Sequence, residues 1–528
     1  MSVAPVNQLY YGDNLEVLRR HVADESVDLV YLDPPFNSDA IYNVIFGHQD
    51  GSRAEAQIKA FEDTWRWDQA SVAAYQEVVE AGGRVADAMR AFHTLLGPSN
   101  MLAYLAMMAP RLVELRRVLK PTGSLYLHCD PTASHYLKLL LDSVFGAKNF
   151  RNEITWRRTP FKGSSKSRAR QFGRSHDIVL FYSKGDAWTW NCPLLPYTDK
   201  YLERFKYDDG DGRGRYRKTL LKTYSETTFK RLQGEGQLIP PRRSGASYSY
   251  KQYLSKSPGG TPVDDFWSDI NALNPMAKER LSYPTQKPLA LMERIIESSS
   301  NEGDVVLDPF CGCGTTVDAA QKLGRRWIGI DITHLAINLI RHRLRDTYGP
   351  EIEETFKVVG EPVSVQGARQ LAASDPYQFQ WWALGKVGAR PEKQKKGADR
   401  GIDGLLFFHE GRKTTDTKQV IISVKAGKTG PSHARDLRGV LEREAAAIGV
   451  LISMQEPTRA MREEAASAGF YKSPWGKHPK IQLLTVEKLL DGRGIDYPAV
   501  TGANVTFRRA ARAKKRPRAE QLGLGEGS

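Results

Sequence analysis

The chain has 528 residues, which predicts two or three domains because a single hydrophobic core rarely grows to that size. Its hydrophobic fraction of 41% is sufficient for true cores and excludes wholesale disorder. The formal net charge of +15 favours a polyanionic partner, with a charge that only serves solubility as the alternative. The four cysteines include no C-x-x-C pair, which excludes a disulfide framework and a zinc cluster.

Short apolar runs rich in β-branched residues alternate with helical patterns in the first 346 residues. Strands are predicted at residues 8–11, 27–32, 123–128, 177–182, 305–307 and 327–330. Helices are predicted at residues 101–119, 133–145, 289–298, 315–323 and 333–345. This alternation is typical of an α/β fold with a doubly wound parallel sheet.

The sequence also bounds where the protein works. No stretch approaches the roughly 18 apolar residues of a membrane span. Residues 1–5 lack the apolar segment of a secretory signal. We therefore expect a cytoplasmic protein with no membrane partner.

The composition changes between residues 152 and 265, where Arg, Lys, Gly, Ser and Tyr dominate. Basic residues interleaved with tyrosines suit phosphate contacts and base stacking, so we expect target recognition in this region. A solvated basic insertion is the alternative. The candidate DNA-binding side chains are Lys162, Lys166, Arg168 and Arg170.

Residues 347–375 are polar and poorly patterned, which predicts a linker. A second α/β unit follows, with strands at residues 402–408, 419–424 and 449–453 and helices at 433–447 and 458–468. The basic segment 501–528 carries too much charge to pack and is expected to be disordered.

Asp33-Pro34-Pro35-Phe36 follows the apolar run at residues 27–32. A carboxylate and a main-chain carbonyl at a strand end can hold both N–H groups of an exocyclic amine. The two prolines keep the loop rigid, and Phe36 offers a face on which an extruded base can stack. A simple turn is the alternative reading of this tetrapeptide.

A second loop, residues 308–315, connects a predicted strand to a predicted helix. Gly312 and Gly314 permit close approach of a ligand to the backbone, as in nucleotide-binding turns. Asp308 would repel a pyrophosphate but suits an ammonium and a sulfonium, so S-adenosylmethionine fits better than NAD. Asp331 ends the next strand, where an acid can take both ribose hydroxyls.

Together the two loops resemble those of the beta-class DNA amino-methyltransferases, in which the catalytic loop precedes the cofactor loop. The resemblance covers about residues 7–346 and implies a Rossmann-like fold, S-adenosylmethionine as cofactor and double-stranded DNA as substrate. Asp33 at the first position of its loop favours adenine N6 over cytosine N4. The residues implied in catalysis are Asp33, Pro34, Pro35 and Phe36, and those implied in cofactor binding are Asp13, Thr285, Lys287, Asp308, Phe310, Gly312, Gly314, Thr315 and Asp331. For Asp13, a purely structural role as a helix N-cap stays open.

Residues 376–472 resemble the Mrr-like branch of the restriction-endonuclease fold. Asp403 and Lys425 match the positions that hold metal and support the attacking water in active members. Ser423 stands where those members have an acid or an amide, and a hydroxyl is a poor ligand for a hard cation. The resemblance therefore implies either a DNA-binding, degenerate module or a nuclease that requires Mg²⁺.

These patterns divide the chain into residues 1–151 and 266–346 as the two parts of a methyltransferase domain, 152–265 as the target-recognition region, 347–375 as a linker, 376–500 as the restriction-endonuclease-like domain and 501–528 as a tail. We expect a site-specific DNA methyltransferase in a restriction-modification or defence context. The alternatives are a cytosine-N4 enzyme, an RNA or protein methyltransferase, and a nuclease or DNA-binding protein whose methylase half is not catalytic. A homodimer and a restriction partner subunit are both open.

Overall fold

A computed structural model of the full chain describes residues 7–35, 67–159, 172–241, 243, 245–257, 259–274, 276–277, 279–281, 283, 285–392, 401–410, 417–498, 504 and 506–507. The chain forms two compact units. The first comprises residues 1–189 and 268–528, and the second comprises residues 190–267.

In the N-terminal part of the first unit, the described residues form five strands and five α-helices. The strands are β1 (Asn7–Tyr11), β2 (Val27–Leu32), β3 (Leu119–Cys129), β4 (Phe150–Arg157) and β5 (His176–Ser183). The helices are α1 (Asn14–His21), α2 (Gln69–Ala81), α3 (Gly83–Leu96), α4 (Asn100–Val118) and α5 (Ser134–Phe145), and a 3₁₀ turn spans Ala147–Asn149.

The second unit contains short strands and two short helices. The strands are β6 (Leu194–Leu195), β7 (Tyr216–Leu220), β8 (Leu238–Ile239), β9 (Ser249–Tyr253), β10 (Thr261–Pro262) and β11 (Phe266–Trp267), and the helices are α6 (Asp199–Leu202) and α7 (Glu226–Gly234). Strands β7, β9 and β8 form an antiparallel sheet. Basic side chains of β7 lie over aromatic rings elsewhere in this unit, for example Lys218 4.3 Å from the centroid of the Tyr207 ring and Arg217 5.2 Å from that of Tyr201. Such cation–π contacts fix several basic side chains of this unit.

The first unit resumes with β12 (Val305–Asp308), β13 (Arg326–Asp331) and β14 (Phe356–Val359), with helices α8 (Leu289–Ser299), α9 (Thr315–Lys322) and α10 (His334–Tyr348), and with a 3₁₀ helix at Pro350–Thr355. Its main sheet has the strand order β4-β5-β3-β2-β12-β13-β1-β14. The six strands from β3 to β14 are parallel, whereas β5 pairs antiparallel with both β3 and β4. The chain order reverses between β2 and β12, and such a switch point opens a ligand crevice at the carboxyl ends of the strands.

The C-terminal part of the first unit forms a smaller sheet with the order β15-β16-β17-β18-β21. Its strands are β15 (Arg390–Pro391), β16 (Gly404–His409), β17 (Thr417–Lys425), β18 (Ile448–Ser453) and β21 (Ile481–Thr485), with a separate hairpin of β19 (Phe470–Ser473) and β20 (Gly476–Pro479). Its helices are α11 (Val365–Ser374), α12 (Pro376–Lys386), α13 (Pro431–Arg443), α14 (Arg459–Ser467) and α15 (Val486–Leu490). Strand β17 alternates between two cores: Val420 and Ile422 pack with Trp382, and Ile421 packs with Leu437.

The α/β fold predicted from the sequence is confirmed, with a parallel-rich main sheet and a smaller C-terminal sheet. The region expected to be a linker, residues 347–375, contains strand β14, which pairs with β1, and helix α11. The region assigned to target recognition begins inside strand β4, which belongs to the main sheet. Of the predicted tail, Asn504, Thr506 and Phe507 are described, and Thr506 accepts a hydrogen bond from the Phe407 amide. In the described part of the chain, no helix is both long and apolar enough to cross a membrane.

Candidate active site

Asp33 directly follows strand β2, which is buried along its whole length. The carboxylate of Asp33 forms an ion pair with the Lys287 ammonium, and their side chains are only 15% and 12% exposed. The sequence prediction grouped Lys287 with the cofactor-binding residues. The structure places its ammonium on the carboxylate that the sequence predicted to be catalytic, and its contact with the cofactor stays a prediction.

The loop of residues 308–315 approaches its neighbours so closely that both of its glycines are required. Gly312 and Gly314 have φ angles of +49° and +74°. A Cβ at Gly312 would lie 3.2 Å from the Tyr283 ring, and one at Gly314 would lie 2.7 Å from Ile340. The Gly312 amide donates a 2.9 Å hydrogen bond to Asp331, which fixes the loop against the end of β13.

Two carboxylates lie at this loop: Asp308, which opens it and is buried, and Asp331, which is half-buried. Burial, together with the neighbouring charges of Asp33 and Asp331, raises the pKa of Asp308 to about 7. Burial also raises the pKa of Asp331 to about 6, although amide and hydroxyl donors from Thr333 oppose the shift. Carboxylates whose charge is so poorly compensated suit a ligand that brings positive charge and hydroxyl donors, so these residues fit the cofactor predicted from the sequence.

The other side of the loop is held by a buried polar chain that the sequence prediction missed. The Asn14 amide donates 2.9 Å to the carbonyl of Pro309, and Arg111 donates 2.6 Å to Asn14. Arg111 also pairs with Asp13 at 2.7 Å, while Asp13 caps the first turn of α1. Asp13 thus serves as an N-cap and as an ion-pair partner, and its contact with the cofactor stays a prediction. The only signal for Arg111 was a charged residue inside the apolar pattern of α4.

A second missed group anchors the start of α9. Arg343 is buried and donates to Asp318 at 2.8 Å, to the Cys313 carbonyl at 3.2 Å and to the Thr315 hydroxyl at 3.0 Å. The Thr315 hydroxyl, predicted to contact the cofactor, therefore accepts a hydrogen bond from an arginine of α10. Because a buried arginine must satisfy several donors, it fixes the loop that it contacts.

The remaining predicted site residues differ in how far they are buried. Phe310 packs against the main core, Pro34 is buried, Pro35 is exposed, and Thr285 is exposed before helix α8. Phe36 and the predicted DNA-binding residues lie outside the described residues; the latter are Lys162, Lys166, Arg168 and Arg170.

A buried hydrogen-bonded chain supports strand β2 beneath Asp33. The Tyr31 hydroxyl lies 3.0 Å from His128 Nδ1, and His128 Nε2 lies 3.1 Å from Asp177. Arg158 completes the chain with an ion pair to Asp177 at 3.2 Å. This chain connects β2, β3 and β5, so His128 acts in the packing of the sheet.

At the C-terminal sheet, the candidate nuclease residues Asp403, Ser423 and Lys425 lie close together. One carboxylate oxygen of Asp403 accepts from the Ser423 hydroxyl at 3.1 Å and from the Val424 amide at 2.7 Å. The Lys425 ammonium lies 3.6 Å from the same oxygen. Within the described residues, no group of three or more His, Cys, Asp or Glu side chains could hold a metal ion.

A parallel sheet with a glycine-containing loop at its switch point is the arrangement of many nucleotide-binding folds. Residues 27–342 match the family model of the N6/N4 DNA methylases. The match spans more than half of the 528 residues, and the chain therefore belongs to this family. Residues 376–491 match a domain described as NACHT-associated inactive Restriction Endonuclease 1. The two family resemblances predicted from the sequence are thereby confirmed.

Two curated relatives illustrate the extent of the similarity. The Type II methyltransferase M.EcaI of Enterobacter cloacae is 33% identical over 270 residues, which are 46% of this chain and 57% of that protein. The Mod subunit of the Type III restriction-modification enzyme StyLTI of Salmonella typhimurium is 24% identical over 357 residues, 60% of this chain and 50% of that protein. The chain thus spans about half of the length of these curated relatives.

A solved structure with similarity to the chain is that of a proposed DNA modification methylase from Thermus thermophilus, TTHA0409, complexed with S-adenosyl-L-methionine. Its identity is 17%, its TM-score is 0.33, and the alignment covers 68% of this chain and 100% of that chain.

Proposed function

We propose that the protein transfers a methyl group from S-adenosylmethionine to an exocyclic amine of a base in DNA. The observation that carries this proposal is the placement of Asp33 and Asp308 at the carboxyl ends of adjacent parallel strands. Strand β2 pairs with β12 through Leu29 with Val306 and Val30 with Leu307, so both loops open into one crevice. A methyl donor bound by one loop would meet an amine held by the other.

Asp33 would act by accepting a hydrogen bond from the amine and not by removing its proton first. A carboxylate is too weak a base to deprotonate an aromatic amine. Hydrogen bonds to the Asp33 carboxylate and the Pro34 carbonyl would instead favour a tetrahedral nitrogen whose lone pair points at the methyl group. The rate enhancement would come from this orientation and from stabilisation of the positive charge that develops on nitrogen. The bond from the methyl group to sulfur would break as the bond to nitrogen forms, S-adenosylhomocysteine would leave as a neutral thioether, and the methylated nitrogen would then lose its extra proton to Asp33 or to water.

The cofactor would be held by the glycine loop and its two acids. Asp308 fits the ammonium of the methionine part, and Asp331 fits the ribose hydroxyls, because burial raises the pKa values of both carboxylates. Asp13, Phe310, Thr315 and Thr285 remain proposed contacts of this cofactor. S-adenosylmethionine supplies an electrophilic methyl group on a sulfonium, and no metal is needed for this step.

We favour adenine N6 as the acceptor because Asp33 stands at the first position of its loop. Cytosine N4 is the second candidate, since the same family contains enzymes for both amines. A restriction-modification role is supported by the relatives, whose names place them among Type II methyltransferases and Type III modification subunits. The net charge of +15 agrees with DNA as the partner.

We propose that the C-terminal domain binds DNA without cutting it. The Asp403 carboxylate, which would have to hold a metal, already accepts hydrogen bonds from Ser423 and Val424 and lies near Lys425. Ser423 adds only a neutral hydroxyl, and Mg²⁺ prefers carboxylate oxygens.

The test is methyl incorporation by the full-length protein. DNA of mixed sequence would be incubated with tritiated S-adenosylmethionine, digested to nucleosides and separated by mass. N6-methyladenine is expected, N4-methylcytosine would replace the favoured base within the same proposal, and no labelled base in any DNA would overturn the methyltransferase function. RNA and a protein mixture serve as competing substrates.

A further inference from the structure

The Lys287–Asp33 ion pair occupies the carboxylate that the proposed reaction needs. Lys287 lies in the segment before helix α8, far along the chain from Asp33, and its ammonium contacts Asp33 Oδ2. Both side chains are mostly buried. An ion pair in such surroundings is much stronger than one in water, and leaving either member alone is costly.

Acidic side chains outnumber basic ones in the surroundings described for this pair. Asp33 and Asp331 both act electrostatically on Asp308, and Asp33 also acts on Tyr31 in the strand below. The positive charge of Lys287 reaches Asp177 beneath the site and Cys313 in the glycine loop. Lys287 therefore compensates part of an acidic site that has to receive a cationic cofactor.

The cofactor sulfonium and the Lys287 ammonium are both positive charges that the Asp33 carboxylate attracts. Methyl transfer requires that the sulfonium and the amine be separated by only the methyl group, and the amine must be hydrogen-bonded to Asp33. The sulfonium charge therefore enters next to the ammonium that contacts Asp33. Two positive charges at such a separation repel strongly in a water-poor site. The product S-adenosylhomocysteine has a neutral thioether and brings no such charge.

We propose that Lys287 is an exchangeable counter-ion of Asp33: it balances the carboxylate before the cofactor binds and is displaced from it by the sulfonium. This inference rests on the proposed function. It gives Lys287 a positioning role, because its departure leaves Asp33 Oδ2 free to accept the N–H of the target amine. It also means that the charged donor, unlike the neutral product, binds only when this ion pair rearranges.

The test compares the affinities of the charged donor and the neutral product. Calorimetry on the full-length protein without DNA would give both dissociation constants for the wild type, Lys287→Met and Asp33→Asn. In Lys287→Met the ratio is expected to move about tenfold in favour of S-adenosylmethionine, because its charge no longer meets the ammonium. In Asp33→Asn the ratio should move in the opposite direction. The double variant should return to within about threefold of the wild type, since it removes both charges.

Lys322→Met is the matched control, because Lys322 pairs with Glu293 at the end of helix α9 and should not change the ratio. An equal loss of affinity for both ligands in Lys287→Met would overturn the proposal, because it would indicate that Lys287 contacts the cofactor carboxylate. Unchanged constants for both ligands would overturn it in favour of a structural ion pair. If Lys287→Met does not fold, Lys287→Gln carries the same expectation. If the wild-type protein binds neither ligand, the proposed function is overturned as well. If the wild type binds both ligands and transfers methyl groups, but Lys287→Met leaves the ratio of the two dissociation constants unchanged, only the counter-ion role of Lys287 is overturned.

Discussion

The side chain of Gln378, in the first turn of helix α12, accepts a 3.0 Å hydrogen bond from the backbone amide of His334. His334 opens helix α10, three residues after Asp331, and its ring stacks on Tyr11 with a centroid distance of 3.6 Å. A residue from the C-terminal part of the chain therefore contacts the backbone just behind the predicted ribose site. Helix α12, which carries Gln378, also places Trp381 in one apolar cluster with Tyr283 and Cys313. Through Tyr283, this cluster also reaches Gly312 of the glycine loop.

This contact predicts that the C-terminal part supports cofactor binding. Gly385 of α12 packs so closely on α10 that a Cβ would lie 1.9 Å from the Asn338 side chain. Gly385→Ala should therefore separate the two helices, lower the melting temperature and weaken cofactor binding at least fivefold. Overpacking of this kind costs typically about 1–3 kcal/mol. Thermal unfolding and calorimetry would measure both effects.

The control for this change is Gly439→Ala in helix α13, where a Cβ would meet nothing within 4 Å. That variant should be neutral or slightly stabilised, because alanine favours a helix over glycine. Adding Asn338→Ala to Gly385→Ala should restore part of the loss by removing the clashing group. Equal effects of Gly385→Ala and Gly439→Ala would show that helix propensity, and not packing, governs the result.

Asp33→Ala should abolish methyl transfer, because a methyl side chain at the end of β2 cannot accept the amine hydrogen. Binding of S-adenosylhomocysteine should stay within about threefold of the wild type, since the neutral product depends little on this carboxylate. Tritium transfer and calorimetry on the same preparation provide both numbers. Transfer above about a tenth of the wild-type rate would remove Asp33 from the catalytic role.

Asp308→Asn should stabilise the protein while it weakens the cofactor site. Burial raises the pKa of the Asp308 carboxyl from 3.8, its value in an unfolded chain, to about 7 in the folded protein. Folding therefore takes up a proton between these values, so stability falls as the pH rises from about 4 to about 7 and is level above that. The charged form at pH 8 costs up to about 4 kcal/mol, which the amide avoids.

The expected result is a higher melting temperature for Asp308→Asn at pH 8 and a difference that shrinks as the pH falls towards 4. Cofactor affinity should drop for the variant at pH 8, because the cation-binding charge is gone. A variant that is less stable than the wild type at pH 8 would mean that the hydrogen bond from Phe310 to Asp308 matters more than the burial of charge.

The sequence predicted the strands that end in functional residues because each is a short apolar run followed by a loop of unusual composition. The run at residues 27–32 and strand β2 coincide, and β12 extends the predicted strand by one residue, to Asp308. The sequence did not predict the buried anchoring roles of Arg111 and Arg343, because a lone arginine in a helical pattern resembles an exposed one until the packing is known. Strand β14 was missed for a similar reason. Its residues Phe356–Val359 lie in a polar context, and only pairing with β1 orders them as a strand.

The partner of Lys287 could not be predicted from the sequence for a different reason. The motif of Lys287 resembles a cofactor-binding segment, and local pattern cannot tell which of several nearby acids an ammonium will contact. The ion pair with Asp33 joins residues 254 apart in sequence, so it depends on how the two loops meet at the switch point. Long-range pairing of this kind has no signal in a single sequence.

Ser423 at the C-terminal site supplies a neutral hydroxyl beside Asp403, where an active nuclease would have an acid or an amide. The wild-type protein with Mg²⁺ or Mn²⁺ is expected to leave plasmid DNA uncut, methylated or not. Among the described residues, Asp403 belongs to no group of three or more side chains that could hold a metal ion, and its carboxylate already accepts hydrogen bonds from Ser423 and Val424. Ser423→Glu would supply a carboxylate ligand beside Asp403 and Lys425, and it should create measurable cleavage if the rest of the site is competent. Asp403→Ala in the Ser423→Glu background is the matched control and should remove any cleavage while methyl transfer persists. Cutting by the wild type that disappears in Asp403→Ala would instead establish an active nuclease and refute the non-cutting assignment.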